Sequence, residues 1–156
     1  MATFTTTKHS TARLPVPRER IWAVLSDPAL LAELTPLLTS IEADGDLWHW
    51  RMAKVPGLAI AVRPEFTERM SFDEPARIDF VHEPQGDEDA GAEGWYVLTD
   101  VGTDDAPATD LEISLTIHVD LPLPRISAPA VQTAMKGVVA SMGNGFAENL
   151  EKHLGI

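Results

Sequence analysis

The sequence predicts an α+β domain in which an antiparallel sheet wraps a long C-terminal helix. Three observations predict it. Residues 109–121 alternate strictly, with Leu111, Ile113, Leu115, Ile117 and Val119 set against Glu112, Ser114, Thr116 and His118, the period of a half-buried strand. From about Ser127 to His153 the apolar spacing changes, and Val131, Met135, Val138, Met142, Phe146 and Leu150 form one helical stripe. Before residue 109 the chain reads as a strand, two short helices and a run of strands, and strands followed by a helix favour an antiparallel sheet.

Each element has local reasons. Residues 3–14 are rich in Thr and reach Pro15 without a breaker, as a first strand does. Pro17 suits the first turn of a helix that continues through Arg18–Leu25, with Ile21, Trp22 and Leu25 on one face. Asp27 caps and Pro28 opens a second short helix, Ala29–Leu34, ended by Thr35-Pro36. Strands are expected at 37–44 and Leu47–Val55, joined at Asp44-Gly45-Asp46. Trp48, Trp50 and Met52 share one face of the second. A long strand is expected at 58–72, with a bulge near Pro64 and with Phe66, Glu68, Met70 and Phe72 on one face. After Asp73-Glu74-Pro75, Ile78, Phe80 and His82 share a strand face. Glu83–Glu93 reads as an acidic hairpin loop, Gly94–Val101 as a strand and Gly102–Ala108 as an acidic turn.

The final helix would run about 35–40 Å, long enough to span the sheet. Gly137, Gly143 and Gly145 inside it each cost about 1 kcal/mol relative to Ala. A close neighbour, open space beside the helix, or a bend near Gly143 would explain them.

The chain has 156 residues, a length that suits one domain over 1–156. It has no cysteine, so disulfides, thiolate metal sites and cysteine nucleophiles are excluded. Twelve Lys and Arg against 24 Asp and Glu give a net charge of -12. Such a surface repels nucleic acid and anionic lipid headgroups. No apolar run has the length of a signal peptide or membrane span, so the expectation is a cytoplasmic protein with no stable membrane insertion. His9, His49, His82, His118 and His153 fall on five different elements. No metal site or cofactor is implied. No Gly-x-Ser-x-Gly elbow is present.

The stretch Leu14–Pro28, with Pro15, Pro17, the Ile21-Trp22 pair and the Leu25-Ser26-Asp27 stop, resembles the first-strand exit and first helix of the START/Bet v 1-like (SRPBCC) superfamily, in particular its polyketide cyclase/dehydrase-like branch. Pro36-Leu37 followed by Ile41 fits the same pattern, and Glu68–Phe80 resembles its strand–proline turn–strand hairpin. The resemblance in element order covers nearly the whole chain. It implies the helix-grip fold: seven antiparallel strands curved around the C-terminal helix, two short helices closing one end, and a cavity between sheet and helix. It also implies a small hydrophobic ligand, lipid-, polyketide- or aromatic-like. The superfamily has no universal catalytic residue, so the resemblance gives a fold and a ligand class rather than a reaction.

On this reading the cavity is lined by Trp50, Phe66, Met70, Phe80, Trp95, Leu115, Met135, Val138 and Met142, with Glu68 and His82 as polar contacts. Trp48, Trp50 and Trp95 offer flat surfaces for a planar ligand, and Met135 and Met142 adaptable ones; plain core packing is the alternative for each. Glu68 shares a face with apolar neighbours, and a buried carboxyl has a raised pKa unless partnered. A bulge turning it outward, or an arginine partner, is its alternative. His82 sits near a strand end, facing either a ligand or solvent. Three functions follow. The first is a carrier of a small hydrophobic molecule. The second is a cyclase, aromatase or dehydratase acting in the same cavity, with Glu68 and His82 as weak catalytic candidates. The third is an assembly factor with a filled core, acting through the acidic loops Glu83–Glu93 and Asp100–Asp110. The sequence favours the first, binding without catalysis.

Overall fold

A computed structural model describes residues 2–156. Strand β1 (Ala2–Leu14) is followed by helices α1 (Arg18–Leu25) and α2 (Pro28–Leu34). Strands β2 (Leu38–Asp44), β3 (Leu47–Met52), β4 (Glu65–Asp73), β5 (Arg77–His82), β6 (Ala90–Asp100) and β7 (Thr109–Leu121) come next, and helix α3 (Ala128–Leu154) closes the chain. The strands form one curved antiparallel sheet in the order β1-β7-β6-β5-β4-β3-β2. This is the helix-grip α+β arrangement. β1 and β7 pair along their full length, from Ala2 opposite Leu121 to Leu14 opposite Thr109. The first and last strands therefore meet at one edge of the sheet, and α3 returns across its inner face to end beside α1, where Arg20 donates to the Leu154 carbonyl at 2.9 Å.

The local signals act as expected at the turns and caps. The Asp27 carboxylate accepts the Leu30 backbone N–H at 3.2 Å, and Pro28 opens α2. Gly45, at φ 60°, turns the two-residue β2–β3 hairpin, a conformation costly for other residues. Gly155, at φ 75°, ends α3. Trp22 anchors α1 through an edge-on contact with Phe72, which also meets Trp48.

Three boundaries differ from expectation. The strand expected at 58–72 begins only at Glu65. Residues 53–64 form an irregular segment closed by a Val55 N–H to Val62 carbonyl hydrogen bond of 2.8 Å. Pro56-Gly57 turns this chain away from β3, and Leu58, Ile60 and Val62 pack against the core instead of extending the sheet. β3 accordingly ends at Met52 rather than Val55. The acidic loop is shorter than Glu83–Glu93, because Ala90–Glu93 already pair with β7.

α3 is unbroken through its glycines. Gly145 sits against Pro36, where a β-carbon would lie 2.3 Å from the ring; beside Gly137 there is nothing within 4 Å. Gly137→Ala should therefore stabilise the protein by about 0.5–1 kcal/mol through helix propensity alone. Thermal denaturation checks this, and a lower melting temperature would contradict it.

Candidate functional site

The core is not filled. A cavity of about 320 Å³ lies between the inner face of the sheet and α3, within the range of small-molecule sites. Alternation along the strands and the helical stripe build its wall. Trp50, Phe66, Glu68, Phe80 and Leu115 face it from β3, β4, β5 and β7, and Met135, Val138 and Met142 face it from α3. Trp50 lies nearly parallel to Phe66, with ring centroids 6.1 Å apart and an interplanar angle of 15°. Val55, Leu58 and Val62 of the irregular segment complete the wall beside them.

Three expected lining residues lie elsewhere. Met70 is one position pair further along β4 and is 2% exposed in solid core, opposite Phe80. Trp95 is on the outer face of β6, opposite Asp79, with the Arg77 guanidinium 5.4 Å from its ring. Its neighbour Tyr96 takes the inner position between Ile78 and Ile113. His82 does not line the cavity. Its Nε2 meets the Glu88 carboxylate at 2.9 Å, and its ring packs at 5.0 Å from that of His118.

Three polar groups stand out in this apolar wall. Glu68 is 1% exposed, and neither carboxyl oxygen has a hydrogen-bond partner. Burial pushes its pKa up to about 9 and the charge of Glu93 adds to the rise; the Ala92 backbone, close by but outside hydrogen-bond geometry, lowers it in part, and Glu88 adds the smallest increment. Near neutral pH the group is therefore an uncharged acid, a donor as well as an acceptor. The indole Nε1 of Trp50, directly across β3 and β4 from Phe66, is buried without an acceptor. Tyr96 is buried in the wall, and burial, with the charge of Glu68, raises its phenol above the ordinary range. Unpaired buried polar atoms cost about 1–3 kcal/mol each. They persist where something outside the chain pairs with them.

A second polar cluster reaches the cavity through His118. Glu88 accepts the Thr67 backbone N–H at 2.8 Å and the Thr67 hydroxyl at 2.7 Å, straps the loop 83–89 onto β4, and holds His82. These bonds keep the Glu88 carboxyl below its usual range against the opposing effect of burial. His82 and His118 occupy the space left by Gly91, where a β-carbon would come within 2.5 Å of both rings. His118 faces the cavity.

Sequence reasoning missed several lining residues, among them Val55, Leu58 and Val62 of the irregular segment and, with the most chemistry, Tyr96 and His118. Tyr96-x-Leu98 alternates as cleanly as Trp95-x-Val97, and only the pairing with Ile78 and Ile113 fixes which is inside. His118 falls on the polar side of β7 by simple alternation and comes to the cavity only through the contact with Gly91 and His82. Among the described residues no three metal-ligating side chains cluster, and no helix is long and apolar enough to cross a membrane.

Comparison with known proteins agrees with this architecture. The sequence profile of the family described as polyketide cyclase / dehydrase and lipid transport matches residues 1–155. No curated protein sequence matches the chain. Among solved structures it is similar to a conserved protein from Geobacillus kaustophilus, at 18% identity and a TM-score of 0.71, covering 96% of this chain and 95% of that one. It is similar to the ZhuI aromatase/cyclase of a Streptomyces species, at 17% identity and a TM-score of 0.68, covering 96% of each chain. A START superfamily protein from Mycobacterium smegmatis is similar at 16% identity and a TM-score of 0.67, covering 94% of this chain and 97% of that one. At these identities the likeness is one of fold.

Proposed function

The chain belongs to the polyketide cyclase / dehydrase and lipid transport family, and from that premise we propose that it binds a small, mostly apolar molecule in the cavity between sheet and α3. Glu68, Trp50 and Tyr96 grip one polar part of it. The observation that carries this reading is the unpartnered carboxyl of Glu68 in the cavity wall. A neutral acid donates to a ligand hydroxyl or carbonyl without placing a charge in apolar surroundings. Affinity comes mainly from burial, at about 25 cal/mol per Å² of apolar surface, and orientation from the polar atoms.

The test is a titration with decan-1-ol, read by the change in tryptophan fluorescence, to which Trp50 in the cavity wall contributes. Wild-type protein should bind. Glu68→Gln, which keeps a donor and an acceptor, should bind comparably. Glu68→Leu should bind about tenfold more weakly, as the loss of one good hydrogen bond implies. Unchanged binding by Glu68→Leu would sink the role given to Glu68. No binding by wild type would sink the carrier reading.

A second reading has one observation in its favour. Glu68 and His118 both face the cavity, so two groups able to move protons border one bound molecule. This is the arrangement a cyclase or dehydratase acting in the same cavity would use. Incubation with a β-hydroxyketone thioester, followed by mass spectrometry for loss of one water, tests it. A product formed by wild type but not by Glu68→Gln supports the enzyme; no product leaves the protein a carrier.

A further inference from the structure

We propose that the cavity opens between β1 and α3 at Gly143, and that Lys8 at this mouth binds the anionic end of an amphipathic ligand. The proposal rests on the cavity-binding reading above and narrows its ligand to a monoanion with an apolar body.

The mouth is visible in which lining residues are exposed. Most of the wall is buried or half-buried, but Ala12 of β1 and Gly143, Ala147 and Glu151 of α3 border the same cavity and are exposed to solvent. Gly143, Ala147 and Glu151 follow one another at intervals of four and share a helix face. Lys8, Ser10 and Ala12 alternate along one face of an edge strand. Between the small residues Ala12, Gly143 and Ala147, the side chain that reaches from β1 toward α3 at Gly143 is that of Lys8, and Thr11 and Asn144 flank it, exposed, on the same rim. A β-carbon on Gly143 would have open space apart from the Lys8 Nζ, 3.9 Å away. The mouth leads to the same cavity that holds Glu68, buried and unpartnered.

Charge places the two ends of the ligand. An anion beside Glu68 would set a second acidic group in a place already without hydrogen-bond partners, where ionisation is costly. Lys8 is different. It borders the cavity, is half-buried, and takes part in no ion pair among the described residues. Glu151, the other charge at the mouth, lies two helical turns beyond Gly143, about 12 Å along α3. On a chain of net charge -12, an ammonium at the mouth of an apolar cavity, the sole lysine or arginine among the described lining residues, is a local attraction for an anion there.

The experiment compares decanoate with decan-1-ol, which share a chain length and differ in charge. Wild type should prefer decanoate by about five- to tenfold at low salt, and 1 M salt should erase most of this preference. Lys8→Met should abolish the preference while leaving decan-1-ol affinity unchanged, and Lys8→Glu should reverse it. Equal affinity of wild type for the two probes, or a Lys8→Met effect equal on both, would overturn the role of Lys8. If neither probe binds, the carrier reading itself has failed. In stopped-flow mixing, Gly143→Phe should slow association of both probes about tenfold or more. Unchanged association rates in a folded Gly143→Phe protein would overturn the opening.

Discussion

Replacing Glu68 with leucine should raise stability by several kcal/mol at pH 8 and by much less at pH 5. The folded protein holds this carboxyl protonated up to about pH 9, whereas in the unfolded chain it ionises near the ordinary value of about 4.3. Between those values the native state carries one more proton than the unfolded state. Stability is therefore fully present at low pH and falls as pH rises, by about 1.4 kcal/mol per unit, levelling off near pH 9. Over pH 5 to 8 that amounts to about 4 kcal/mol. Glu65, Glu88 and Asp110 are held below their usual values. Their contribution has the opposite sign: it is fully present above about pH 5 and is lost only as pH falls below it, so they leave this window to Glu68. Urea unfolding at pH 5, 6, 7 and 8 checks the expectation: wild type should lose stability across the series and Glu68→Leu should stay nearly flat. Parallel profiles would show that Glu68 is partnered or hydrated in solution. The same substitution should weaken ligand binding. A residue that costs stability and serves binding is the signature of a functional site.

Much of the architecture was legible because its signals are local. The change from period two in Leu111–Val119 to period 3.6 after Ser127 needs only side-chain alternation, and the capping of α2 needs only Asp27 and Pro28. Glu68 was legible for the same reason, sharing a strand face with Phe66 and Met70. The errors share a different cause. Leu58, Ile60 and Val62 alternate like a strand, yet they pair with no strand and pack against the core instead, Leu58 and Val62 at the cavity wall. Trp95 and Tyr96 differ by one residue in phase, and alternation alone does not choose between two large aromatic faces. Pairing with Ile78 and Ile113 makes that choice, and pairing is long-range. His118 and His82 reach each other only because Gly91 leaves room between strands distant in sequence.

The glycines of β6 yield the other large expected effect. Gly94→Ala should cost about 3 kcal/mol or more, or abolish folding, because overpacking is worst where nothing can move. A β-carbon there would lie 1.9 Å from the Ser114 carbonyl oxygen and 2.9 Å from its carbon. Those atoms belong to the backbone of β7, fixed by its ladders to β1 and β6. Gly91→Ala makes a similarly short contact, but with the ends of His82 and His118, and imidazoles turn about their side-chain bonds. Its cost should stay nearer 1–2 kcal/mol, and the displaced His118 ring should reduce the room left for a ligand. Urea denaturation of both variants at one pH separates the cases, and equal costs would contradict the distinction. The difference matters for function because Gly94 stands directly opposite both Phe80 and Leu115, two residues of the cavity wall. The close approach of β6 to β7 at Gly94 holds that part of the wall in place, and a methyl group there would have to push it apart.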